Sequence, residues 1–154
     1  MTTPALEVER LTVSYRRSGE WASALSAVSL AIPAGEAYGL VGESGCGKTT
    51  LALSVMRYLP PNGRVDAGAI RVDGHDLTRV HGRELQRWRG SRLAMVYQDP
   101  ASALNPALRI GDQIAEGYRF HHGLTHRNAL RRAAEALARV RMPDPNAILR
   151  RYPH

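Results

Sequence analysis

Nine residues constrain the fold more than any others in the chain. Gly42 to Thr50 read GESGCGKTT, which meets the spacing G-x-x-x-x-G-K-[ST] through Gly42, Gly47, Lys48 and Thr49 and adds a further glycine at Gly45. A polyphosphate carries several negative charges, and a loop that turns successive backbone N–H groups inward at a helix N-terminus forms a concave nest for them. Glycines supply the positive φ angles and the close approach that other side chains would block. The candidate binding stretch is therefore Gly42, Glu43, Ser44, Gly45, Cys46, Gly47, Lys48, Thr49 and Thr50. Lys48 is the only lysine in the chain, every other basic residue among 21 being arginine, which suggests a place where a slim ammonium does what a planar guanidinium cannot. Lys48 can reach the β- and γ-phosphates, and the Thr49 hydroxyl can ligate Mg²⁺. Cys46 stands where the main-chain N–H matters, so its thiol reads as filler.

The flanks fit the same chemistry. Ala37 to Val41 is short and apolar, as a buried parallel strand should be, and Leu51, Val55 and Leu59 recur at helical spacing over Thr49 to Leu59. Upstream, Leu6 to Val13 and Ala24 to Ile32 are strand-like, joined through the polar Arg16 to Glu20. Downstream, Pro60 to Gly63 is a turn, Gly68 to Val72 a strand, Glu84 to Arg89 a short helix and Leu93 to Tyr97 a second buried strand, broken at Gln98-Asp99-Pro100. Beyond Pro106 the pattern turns helical. Ile110, Ile114, Gly117 and Tyr118 share one face; from Thr125, Leu130, Ala133, Ala134, Leu137 and Val140 form a stripe opposite arginines. These alternations predict a mixed α/β fold.

Three segments give the chain a family resemblance. AVSLAIPAGEAYGLVGESGCGKTTL resembles the strand, turn and Walker A region of the ATP-binding subunits of ABC transporters, with Tyr15 of LTVSY standing where that family's A-loop aromatic stacks on adenine. YQDPASALNP, Tyr97 to Pro106, is similar to the Q-loop in the form found in di/oligopeptide and nickel importers, and LPPNGRVDAGAIRVDGHDL, Leu59 to Leu77, resembles their D-type subunit. The resemblance implies a P-loop NTPase fold with a RecA-like core and an antiparallel β subdomain, residues 1–98, followed by the Q-loop and the start of an α-helical subdomain, residues 99–154. It implies ATP and Mg²⁺ as ligands, Lys48 and Gln98 as catalytic groups, Thr49 and Gln98 on the metal, and Tyr15 on the base. It also implies a transport-coupled ATPase at the cytoplasmic face of the membrane, working with permease subunits, a second ATPase subunit and, indirectly, an extracytoplasmic substrate-binding protein.

Other classes are less well supported. The formal charge of +7 invites a nucleic-acid reading, but the first 100 residues carry 12 basic and 10 acidic groups, and the excess decorates helices in the remainder. Nucleic acid is thus not an expected partner, although a P-loop ATPase acting on DNA is the alternative a Walker A alone would allow. His122 and His126 have a helical metal-ligand spacing, yet Gly123 and a Thr125 N-cap put them on different helices. Arg127, Arg131, Arg132 and Arg139 read as a solvated helix face. A single cysteine excludes an intrachain disulfide and favours a reducing compartment, and no apolar run is long enough to span a bilayer. The residues supply no glycine-rich signature and no apolar strand ending in adjacent carboxylates. The expectation is an N-terminal fragment, truncated before the signature, that binds nucleotide poorly and hydrolyses it negligibly alone. A non-hydrolysing nucleotide-binding fragment is the other alternative.

Overall fold

An irregularity at Arg10, where φ is 44°, shifts the alternation by one residue so that Val8, Leu11 and Val13 are all buried on a long strand, and that strand organises the N-terminal half of the chain. A computed structural model describes residues 3–99 and 103–154. β1 (Leu6–Arg17) pairs antiparallel with β2 (Glu20–Ile32) and with β3 (Gly63–Val72), and the short β4 (His75–Asp76) follows β3, giving the order β2-β1-β3-β4. The first two strands run further than their alternation suggests, because the polar stretch between them is itself a tight hairpin: Arg17 lies opposite Glu20, and Ser18 and Gly19 have φ of 50° and 92°. Positive φ at both central residues gives the turn the twist that flanking strands require. Val8, Leu11, Val13, Leu25 and Ile70 form the core with Leu51 of helix α1 (Lys48–Val55). Burial of such side chains contributes roughly 1.5–3 kcal/mol each.

Helix α1 stops before the expected Leu59. Arg57 turns left-handed at φ 54°, its N–H donates to Ser54 O at 2.9 Å, and the Tyr58 N–H donates to Leu53 O at 2.8 Å, the two reversed bonds that close a Schellman end. Val55 and Leu59 still pack against the core.

The two expected parallel strands do not form among the described residues. Ala37 to Val41 is irregular, with Leu40 and Val41 exposed, and Leu93 to Tyr97 retains one isolated bridge, from Arg89 to Leu93, with Val96 exposed. The cause is physical: a parallel strand has hydrogen-bond partners only in strands distant in sequence, and none of the described strands lies alongside either segment. β1 and β2 find each other through a hairpin, and β3 joins the other edge of β1 across a longer connection.

The chain divides into two compact units, one ending at Gln86 and one beginning at Arg87, and helix α2 (Gly82–Trp88) spans the division. The second unit holds α3 (Ile110–His122), α4 (His126–Arg139) and α5 (Pro145–Arg150). Thr125 caps α4, accepting from the Asn128 N–H at 3.4 Å. Inward faces differ in detail from the expected stripes. Gly111 and Ala115 are the buried residues of α3, and Ala129 and Ala133 those of α4, whereas Val140 is exposed. Small side chains let the helices approach, and Gly111 lies directly against Leu149 of α5. Helix α5 escapes the sequence reading, although Asp144-Pro145 is a start signal: Asp144 Oδ1 accepts from the Ala147 N–H at 3.1 Å and Pro145 occupies the first turn.

Candidate functional site

The phosphate loop is built from its glycines upward. Gly45 and Gly47 have φ of 84° and 96°, and Gly47 is the N-cap of α1, with no side chain capping that end. A Cβ on Gly47 would come within 2.7 Å of Leu25 Cδ2 and 3.0 Å of Ala24 O, so the loop is pressed onto β2 at a position only glycine fits. The Cys46 N–H donates to Glu43 O at 3.3 Å and the Leu51 N–H to Gly47 O at 2.8 Å, which turns the chain from loop into helix. Lys48 then folds back over the loop: Nζ donates to Gly42 O at 2.7 Å and to Glu43 O at 2.6 Å, with Cys46 Sγ at 3.4 Å. An ammonium with three donors and no acceptor suits that tripod, and the same group can turn from carbonyls to phosphate oxygens without moving its stem far. Glu43, Ser44 and Thr49 are exposed, and Thr50 is half-buried.

Tyr15 lies in the same sheet as the loop's support. It faces Ala22 on β2 and Gly63 on β3, and Gly47 packs on β2 at Ala24 and Leu25, about 10 Å further along at the usual strand rise. Its ring packs against Gly63, where a Cβ would meet Cε1 at 2.6 Å. Asn62 completes the support. Its carbonyl accepts from the Arg16 N–H at 2.7 Å and its side-chain amide donates to Arg16 O at 3.4 Å, holding the turn beside the aromatic. Neither Asn62 nor Gly63 was singled out from the sequence, where they read only as a turn; their place beneath Tyr15 depends on the β1–β3 register.

Gln98 lies in the second unit and is exposed, as is Asp99. Of the segment Tyr97 to Pro106, residues 100–102 lie outside the described residues. Its far end is well defined. Asn105 opens a turn in which its Oδ1 accepts from the Ala107 N–H at 2.9 Å and its carbonyl accepts from the Leu108 N–H at 3.2 Å, and Gln113 of α3 reaches back to it, a contact the helical pattern did not reveal.

The donor set suits its implied ligands. The nest of left-handed glycines, the single ammonium and the Thr49 hydroxyl match a nucleotide polyphosphate with Mg²⁺. Among the described residues no group of three or more His, Cys, Asp and Glu is placed to hold a metal ion. His122 ends α3 and His126 begins α4, separated by the left-handed Gly123, and His126 Nε2 lies 3.6 Å from Asp112 Oδ1. No helix among the described residues is long and apolar enough to cross a membrane.

Comparison with known proteins gives a consistent picture. A family model described as ABC transporter matches residues 25–154. A peptide import ATP-binding protein of Brucella melitensis is 46% identical over 99% of this chain and 46% of its own length. A D,D-dipeptide transport ATP-binding protein of Escherichia coli is 40% identical over 99% of this chain and 47% of its own length. A glutathione import ATP-binding protein of Salmonella typhimurium is 37% identical over 97% of this chain and 25% of its own length. The chain thus spans about half the length, or less, of these curated relatives. A dimeric bacterial ABC transporter cassette superposes with a TM-score of 0.79 at 21% identity, covering 96% of this chain and 61% of the cassette. A dimeric ATP-binding cassette in a post-hydrolysis state with ADP and phosphate gives 0.77 at the same identity and coverage. Both share the fold.

Proposed function

Because the chain belongs to the ABC transporter family, we propose that it forms the nucleotide-gripping half of the ATPase subunit of an importer for di- or oligopeptides, or for nickel. The observation that carries this reading is the loop from Gly42 to Thr50, closed by the Lys48 ammonium on two of its own carbonyls and seated on β2 through Gly47. In this reading ATP lays its phosphates along the loop's N–H groups at the start of α1, where the helix dipole adds to the attraction. Lys48 would exchange its carbonyl partners for the β- and γ-phosphates and Tyr15 would stack on adenine, a contact worth on the order of 1 kcal/mol, while the family resemblance gives Thr49 and Gln98 as the residues that would hold Mg²⁺ and Gln98 as the one that would orient water.

The relatives named above are ATP-binding proteins for peptide import, D,D-dipeptide transport and glutathione import, which supports a small-peptide cargo over nickel, and none of them is named for action on DNA. Two such subunits would sandwich two nucleotides at the cytoplasmic face of the membrane, and their closure and hydrolysis would drive a permease that receives cargo from an extracytoplasmic binding protein. These 154 residues, without signature or Walker B groups, would by themselves hydrolyse ATP negligibly. Uptake by the intact importer tests the mechanism. Lys48→Ala in the subunit should abolish it, and undiminished peptide uptake by that variant would reject the reading.

A further inference from the structure

We infer that Arg64 is a positioning residue for Tyr15, the anchor of a side-chain strap that fixes the strand end on which this aromatic stands. This rests on the role proposed above for Tyr15. The Tyr15–Gly63 pair is the last of the β1–β3 register, and beyond it Arg16 and Arg17 have register partners on β2 alone, so the aromatic sits where the three-stranded part of the sheet gives out. Such ends open more readily than the middle of a sheet. Because β1 lies between β2 and β3, those two strands run roughly 10 Å apart there, beyond the reach of any backbone hydrogen bond between them. A long side chain can cross that gap, and Arg64 does: its guanidinium carbon lies 3.8 Å from the centre of the Trp21 ring. Arg64 stands opposite Ser14 and Trp21 opposite Arg16, so the contact passes over β1 at the residues on either side of Tyr15.

The strap is closed at its other end. Arg64 Nε donates to Asp66 Oδ1 at 2.6 Å, and the Ser14 hydroxyl hydrogen-bonds the same carboxylate. Trp21 of β2, Arg64 and Asp66 of β3 and Ser14 of β1 thus form one chain of contacts across three strands, and the polar Ser14 is buried within it. A guanidinium suits the place, since its flat face stacks on the indole while an edge N–H meets the carboxylate. Successive side chains alternate between faces, so the strap and the Tyr15 ring stand on opposite sides of the sheet and the strap acts through the backbone. That path is short: the ring packs on Gly63, the chain neighbour of Arg64, and Tyr15 follows Ser14 directly. Stacking on a base depends on the angle and distance of the ring. A strand end free to shift therefore weakens the base contact and spares the phosphates, which the loop from Gly42 to Thr50 would hold.

Isothermal titration of the intact ATPase subunit tests this with two ligands, a non-hydrolysable ATP analogue and inorganic tripolyphosphate, each with Mg²⁺; the second offers phosphates without a base. Arg64→Met and Trp21→Thr should each weaken the ATP analogue about threefold while leaving tripolyphosphate within about 1.5-fold. Trp21→Thr changes no charge, and so separates the strap from the long-range attraction of a guanidinium for phosphate. Tyr15→Ala alone should weaken the analogue about fivefold, and once it is present neither strap substitution should weaken binding further. Equal weakening of both ligands, or the same loss repeated in the Tyr15→Ala background, would overturn the inference, because Arg64 would then support the fold at large. Analogue affinity reduced by Tyr15→Ala but unaltered by Arg64→Met and Trp21→Thr would reject the strap and leave the base contact standing. Unaltered affinity in Tyr15→Ala would reject the base contact, and the inference with it.

Discussion

At Gly47 two requirements meet in one residue, a φ of 96° and a distance to Leu25 that leaves no room for a methyl group. Gly47→Ala should weaken nucleotide binding more than tenfold and destabilise the first unit by roughly 1–3 kcal/mol, since strain at the backbone and overlap at β2 act together. Isothermal titration with Mg-ATP and urea unfolding would measure the two effects. Binding within a factor of about two of the unmodified chain would mean that the loop does not need this seat on the sheet. Lys48 belongs to the same scale but answers differently. Among the described residues its ammonium hydrogen-bonds Gly42 O, Glu43 O and Cys46 Sγ, all within its own loop, and it is half-buried, so Lys48→Ala should remove affinity for phosphate with less than about 0.5 kcal/mol lost from the fold. The positions of Gly47 and Lys48 in this loop were legible in the sequence because the motif is contiguous. The contacts of Gly63 and Gln113 were not, since one rests on cross-strand register and the other on a turn that becomes visible only once folded.

Helix ends and turns show where local sequence is a sound guide and where it misleads. Thr125 has the sequence position of a cap and the structure makes it one; Thr125→Ala should cost about 1 kcal/mol of stability. The far end of α4 was not foreseen, because arginine stands where glycine usually does. Arg141 has φ 59°, and its N–H and that of Met142 donate to Ala138 O and Leu137 O, the same closure that Arg57 makes on α1. Arg141→Gly should therefore stabilise the second unit by about 0.5–1 kcal/mol, raising its melting temperature; an unchanged or lower one would show that the arginine side chain offsets its backbone strain. The end of β4 offers a pH test. Thr78 hydrogen-bonds Asp76 through side chain and N–H and holds its carboxyl below the usual carboxylate range, with smaller help from Arg71 and Arg79. A carboxyl that is more acidic folded than unfolded stabilises above its unfolded pKa, and the contribution vanishes as pH falls through the lowered value. Asp76→Asn should accordingly flatten the acid limb of the stability profile below about pH 4 and lower the neutral plateau without changing its slope, as read by thermal unfolding across pH. The strands followed a similar division. Antiparallel β1, β2 and β3 were readable from period-two alternation, whereas Ala37 to Val41 and Leu93 to Tyr97 have the composition of parallel strands without neighbours to make them so.

For the molecule as a whole, those two apolar segments set the behaviour in solution. Val41 is 93% exposed and Val96 89%, beside Tyr38, Leu40 and Tyr97, and short exposed apolar runs with unpaired backbone groups are templates for association. A chain spanning about half the length of its relatives presents strand-forming sequence that in a complete α/β sheet would be covered on both faces. The 154-residue chain should therefore bind a hydrophobic dye and self-associate at micromolar concentration. Charges placed on the two runs, as in Val41→Lys with Val96→Lys, should suppress both effects without altering the antiparallel sheet, whose core of Val8, Leu11, Val13, Leu25, Leu51 and Ile70 includes neither residue. Light scattering and circular dichroism on the doubly substituted chain decide the matter. Association that persists at the unmodified level would place the sticky surface elsewhere, with exposed Phe120, Val140 and Met142 of the second unit the next surface to charge.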